Sequence, residues 1–148
     1  MNSTQSTYFI AEANIDLAAS RSIIWDALTN PAIIKQYFFG TEADSDWQLG
    51  KTITFRGEWD GKPYKDKGVI LEITPEYCVK YNYWSSMSDK DDKAEHYRAV
   101  SYEIKESESK SGCHTLSITQ ECDTAAQRDD SSNNWAYILK SLQTLLES

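Results

Sequence analysis

Four side chains with nucleophilic or metal-binding chemistry stand between residues 96 and 122 and could suggest a site: His96, Cys113, His114 and Cys122. A zinc site or a Cys–His nucleophile pair would need them at ligand spacing or within one hydrogen bond of each other. The sequence has no Cys-x-x-Cys or His-x-x-x-His. Cys113 and His114 are adjacent on a strand, which sends them to opposite faces. We therefore expect no metal, no cofactor and no catalytic residue from this set. Two further pairs, Asp66 with Glu72 and His96 with Arg98, sit at even separations on single strands and so share a face. General acid–base work would need such groups within hydrogen-bond reach and at a tuned pKa. Nothing in the sequence indicates either, and the expectation is a solvated strand face.

The remaining candidates are aromatic. Five Trp, nine Tyr and four Phe make up 12% of the 148 residues. Phe55, Trp59, Tyr81, Tyr83, Tyr102 and Trp135 fall on the apolar side of alternating or helical patterns, and Phe38 ends a short helix where a cavity would open. Several buried Tyr hydroxyls need partners, which a cavity holding water or ligand supplies. With Leu139 added, the candidate ligand-binding set is Phe38, Phe55, Trp59, Tyr81, Tyr83, Tyr102, Trp135 and Leu139.

Fifteen Lys and Arg against 23 Asp and Glu leave a net charge of −8. Such a surface disfavours nucleic acid and anionic membrane. No stretch reaches the roughly 20 apolar residues of a membrane span. Residues 1–7 carry neither a basic nor an apolar secretory region, and three cysteines cannot all pair. The expectation is a cytoplasmic protein with Cys78, Cys113 and Cys122 as free thiols. The acidic loops, Asp89 to Glu95 and Glu103 to Glu108, alternate with lysines and read as solubilising hairpin tips.

These side chains are positioned by a legible order of elements. Residues 8–17 alternate as a half-buried strand. Ser20 caps a helix carrying Ile23, Ile24, Ala27 and Leu28, and Asn30-Pro31 ends it and opens a second, stopped by Gly40. From Thr41 to Cys122 the period is two. Asp60-Gly61 marks a tight hairpin, and Gly68 marks a bulge or bend. Val69, Leu71 and Ile73 read as one apolar face. Asp129 to Ser132 read as the cap of a last helix carrying Trp135, Ile138, Leu139, Leu142, Leu145 and Leu146. One strand, two short helices, about six strands and one long helix make a single α+β domain over residues 1–148. A curved antiparallel sheet gripping the last helix buries the most apolar surface.

Three stretches carry a resemblance to a known family. They are Ile23-Ile24-Trp25-Asp26-Ala27-Leu28-Thr29-Asn30-Pro31 with Gln36-Tyr37-Phe38; Asp46-Trp47-Gln48-Leu49-Gly50, Phe55-Arg56-Gly57-Glu58-Trp59 and Lys65 to Ile73; and Trp135 to Leu142. In order and spacing the chain resembles the START-related helix-grip (SRPBCC) superfamily, and within it the heat-shock-protein ATPase activator homologues. The resemblance implies a cavity between the sheet and the C-terminal helix. It spans lipid and hydrophobic-ligand carriers, polyketide cyclases and co-chaperones, and fold does not choose among them. The two-domain eukaryotic activators carry a further N-terminal domain for which this chain has no room, which counts against a chaperone partner. The reading is a non-catalytic domain binding a small hydrophobic or aromatic molecule. Its alternatives are a cyclase- or hydrolase-type enzyme using the same cavity and a chaperone-interaction module.

Overall fold

The computed structural model describes residues 8–147. Strand β1 (Phe9–Leu17) leads into helix α1 (Arg21–Thr29), whose N-cap Ser20 accepts the Ile23 N–H at 3.2 Å. Asn30 serves two helices. Its backbone N–H closes α1 on the Asp26 carbonyl, and its side chain accepts the Ala32 N–H at 3.0 Å to open α2 (Pro31–Tyr37). Tyr37 donates its hydroxyl to the Ala27 carbonyl at 2.8 Å, which fixes one helix on the other.

Six strands follow: β2 (Glu42–Ser45), β3 (Thr52–Trp59), β4 (Lys62–Thr74), β5 (Cys78–Ser85), β6 (Arg98–Glu106) and β7 (His114–Cys122). With β1 they form a seven-stranded antiparallel sheet in the order β1-β7-β6-β5-β4-β3-β2. The β3–β4 turn is the expected Asp60-Gly61, with φ of 53° and 78°. Both positive values belong to the tight turn whose twist matches the flanking strands. That turn pairs Trp59 with Lys62, and the register carries Phe55 opposite Asp66.

Helix α3 (Ala125–Glu147) lies on the concave face, so the architecture is the expected helix-grip α+β fold. Trp135, Ile138, Leu139 and Leu142 are its buried residues. It also closes the free edge of β1. Ser132 Oγ accepts the Glu12 N–H, Glu147 accepts the Ala18 N–H, and Gln143 donates to the Asp16 carbonyl, at 3.1–3.3 Å. An edge strand otherwise presents unpaired backbone groups. The helix begins earlier than its apolar stripe implied. Thr124 accepts the Gln127 N–H at 3.1 Å, so Asp129 to Ser132 lie inside the helix and are not its cap.

Strand β4 departs most from the sequence reading. The β4–β5 ladder shifts register between Ile70 and Glu72. The bulge therefore falls at Leu71, not at Gly68. A close approach requires the glycine instead, since a Cβ at Gly68 would stand 1.7 Å from the Asn82 carbonyl oxygen. Ahead of the bulge, Tyr64, Asp66, Gly68 and Ile70 face inward; after it, Ile73 does. Leu71, expected inside, is exposed. Glu72 points outward with Lys80 4.0 Å away, so it does not share a face with Asp66.

Candidate functional site

Five rings from five elements close a circuit above the sheet. Phe38 ends α2 and stacks on Phe55 of β3 at 5.9 Å between centroids. Phe55 meets Tyr81 of β5 at 5.5 Å, and Tyr81 meets Tyr102 of β6 edge-on at 5.5 Å. Tyr102 meets Trp135 of α3 at 5.8 Å, and Trp135 returns edge-on to Phe38 at 5.5 Å. Tilted and edge-to-face pairs at these separations are the favourable ones for aromatic quadrupoles.

Beside this circuit lies a cavity of about 330 Å³. Phe38, Phe55, Tyr81 and Trp135 give it apolar walls, and Val100 and Ile138 extend them. It reaches the surface past Phe39 and Met87, which are 43% and 49% exposed. Phe39 holds a φ of 55° and stacks on the exposed Tyr137 at 5.5 Å. A bulky residue with positive φ is a strained position.

The polar groups of the wall are organised. The Trp135 indole N–H donates to Gln120 Oε1, and Gln120 Nε2 donates to the Tyr83 hydroxyl, both at 2.6 Å. Tyr83 is thereby held across the cavity, and burial pushes its pKa up to about 12. The Tyr81 and Tyr102 hydroxyls bond at 2.7 Å, and burial holds both phenols well above their usual range. Thr41 Oγ1 and the Tyr64 hydroxyl bond at 2.6 Å.

Asp66 also lines the cavity, between its cross-strand neighbours Phe55 and Ser85. The expectation of a solvated carboxylate is overturned. Its Oδ1 is buried without a hydrogen-bond partner among the described residues. Burial raises its pKa, and the Ser85 hydroxyl opposes that only in part. Among the described residues it is the one acid on the wall, and no Lys, Arg or His lines it.

Of the sequence-derived set, Phe38, Phe55, Tyr81, Tyr83 and Trp135 line the cavity. Tyr102 and Leu139 lie in the packed core behind it, 5% and 2% exposed. The side chain of Trp59 lies outside the described residues. Gln120, Thr41, Tyr64 and Asp66 were missed. Gln120 continues the inward parity of Leu116 and Ile118, so its position was legible as a polar residue on an apolar face. Asp66 was legible through the hairpin register that pairs it with Phe55.

His96 and Arg98 do not lie on one strand, since His96 ends a single 3-10 turn (Ala94–His96) and β6 begins at Arg98, but both line an adjoining polar hollow of about 470 Å³. Arg98 is held by Asp123 at 2.7 Å and by the Glu95 and Tyr97 carbonyls. His96 Nδ1 lies 2.7 Å from the Asp91 carbonyl. Among the described residues no group of three or more His, Cys, Asp or Glu is placed to hold a metal, and Cys78, Cys113 and Cys122 are free thiols. No helix among them is long and apolar enough to cross a membrane.

The chain is similar to the solution structure of ChR145 from Cytophaga hutchinsonii, at 33% identity over 97% of both chains and a TM-score of 0.80. Two more distant structures share the fold. One is the Aha1 dimer from Colwellia psychrerythraea, at 17% identity, 94% and 96% coverage and a TM-score of 0.70. The other is DynU16, a protein of the dynemicin biosynthetic locus, at 13% identity and a TM-score of 0.75, matching 94% of this chain and 47% of that one. No curated protein matches. Residues 18–147 fit the sequence pattern described as Activator of Hsp90 ATPase homolog 1-like protein, and with that match over the helix-grip fold just described the chain belongs to that family.

Proposed function

We propose that the cavity binds a small apolar or aromatic molecule and that the chain works as a binding domain in the cytoplasm. The observation that carries this reading is the wall of Phe38, Phe55, Tyr81 and Trp135 around a space of about 330 Å³. That is the size and character of a small-molecule site: apolar sides with a few placed polar groups. Burial of ligand surface at about 25 cal/mol per Å² supplies the driving force before ordering costs are subtracted.

The test is titration with N-phenyl-1-naphthylamine, an uncharged fluorophore that brightens on leaving water. Saturable binding is expected. Phe38→Ala and Phe55→Ala should each weaken it by about 1–3 kcal/mol in variants shown to be folded. His96→Ala should not change it, because His96 lines the adjoining polar hollow and not the cavity wall. No saturable binding, or binding indifferent to both Phe variants, overturns the reading.

A second reading is an enzyme of the cyclase or hydrolase type, and Asp66 is the observation that favours it. A cavity carboxyl with a raised pKa is the form a general acid takes. The likeness to DynU16 is in keeping with that role but extends to the fold alone. A chaperone partner comes from the family's description; Phe39 and Tyr137 are the apolar surface it would cover.

A further inference from the structure

We propose that the ligand of this cavity is an aralkyl amine in its ammonium form, with its ring against Phe38, Phe55 and Trp135 and its N–H donor on Asp66 Oδ1. This rests on the binding reading above and names the ligand class. A purely hydrocarbon ligand would leave Asp66 Oδ1 buried and unpaired, and a buried acceptor without a donor carries its full desolvation cost. An ammonium group supplies the missing donor and the opposite charge.

The surroundings of Asp66 point the same way. Phe55 faces it from β3, Tyr64 from its own strand, and Tyr81, Tyr83 and Ser85 from β5. Gln120 stands on β7, and α3 contributes Ser131, Asn134 and Trp135. None of these is a base, so no described side chain of the wall competes with a ligand cation for the carboxylate. Ring faces attract cations through their quadrupoles, most strongly where water is excluded. Arg98, the guanidinium of the adjoining hollow, is committed to Asp123. The net charge of −8 concentrates cations at the surface and depletes anions. Fatty acids and other apolar carboxylates are the class this site rejects, since their charge would meet Asp66.

Burial raises the Asp66 pKa. The ammonium ligand pairs with the carboxylate, so where Asp66 is protonated its proton leaves to solvent on binding. Amine affinity therefore rises with pH as Asp66 ionises, while hydrocarbon affinity does not.

Three ligands sharing one ring system test this: 1-naphthylmethylamine, 1-ethylnaphthalene and 1-naphthylacetate. Each displaces N-phenyl-1-naphthylamine from wild type and from Asp66→Asn. At neutral pH the amine should bind wild type about tenfold or more tighter than the hydrocarbon, and the acetate weakest. In Asp66→Asn the amine's advantage should fall below about threefold, with hydrocarbon affinity kept. A pH series on wild type needs no variant: the amine's advantage should shrink as pH falls through the Asp66 titration. Equal binding of amine and hydrocarbon, or an advantage untouched by Asp66→Asn and by pH, overturns the amine proposal and leaves the binding reading standing. Failure of the fluorophore and of all three ligands to bind overturns both.

Discussion

Asp66 stands directly opposite Phe55 in the β3–β4 ladder, so an acidic side chain and an aromatic wall residue enter the cavity side by side. Paired residues of an antiparallel ladder project to the same face. The inward position of Phe55 therefore settles that of Asp66. This pairing places the one acid among the described residues of the wall beside one of its rings.

The first prediction concerns how stability depends on pH. Burial raises the Asp66 pKa above the unfolded value near 3.8. Its contribution to stability is thus fully present below pH 3.8 and is lost as pH rises through the folded-state value. Asp66→Asn should be more stable than wild type at neutral pH. The gap should close as pH falls below about 4. Urea unfolding of both proteins across this range measures it, and a gap constant with pH would contradict the burial of Asp66.

The second concerns Gly68. A methyl group there would meet the Asn82 backbone carbonyl at 1.7 Å, and backbone cannot rotate away as a side chain can. Nearby, the Asn82 side chain accepts the Val69 N–H at 2.9 Å, so the two segments are locked at close range. Gly68→Ala should cost about 1–3 kcal/mol or more. For a domain of this size each kcal/mol is about 2–4 °C in Tm by calorimetry. An unchanged Tm would mean that the strands separate freely here.

Asn30 provides the third. Its side chain caps α2 while its backbone closes α1, and only the first role is lost in Asn30→Ala. The expected loss is about 0.5–2 kcal/mol in chemical denaturation. Asn30→Asp, which keeps an acceptor at the cap, should recover most of it.

The fourth concerns α3. Trp135, Ile138, Leu139 and Leu142 bury its face against the sheet. Removing residues from Trp135 onward should abolish cooperative thermal unfolding, because the concave face loses its cover. A truncated chain that still melts sharply near the original temperature would contradict the helix's place in the core. Leu142→Ala is the milder version. The side chain is fully buried, and its loss should cost about 2–5 kcal/mol.

Much of this molecule is written locally. Ser20, Asn30-Pro31 and Asp60-Gly61 act within a few residues of themselves, so the helix starts and the hairpin were readable without knowing the fold. The alternation of Val79, Tyr81 and Tyr83, and of Val100, Tyr102 and Ile104, named inward faces because β5 and β6 keep their period unbroken. Those faces carried Tyr81 and Tyr83 to the cavity, the alternation of β3 carried Phe55, and the helical patterns carried Phe38 and Trp135. Asp66 was different, because two sequence signals disagreed about it. The Asp60-Gly61 register places it inward beside Phe55, while the apolar run of Val69, Leu71 and Ile73 places it outward. The register holds as far as Ile70, and the bulge at Leu71 then inserts one residue and reverses the strand's parity, so that of the apolar run only Ile73 turns inward. A bulge is settled by pairing between strands, here β4 against β5, and no window of one strand contains it. The same limit applies to Tyr102 and Leu139: their inward direction was local information. Whether they meet open space or other side chains depended on how Phe38, Tyr81 and Trp135 pack around them.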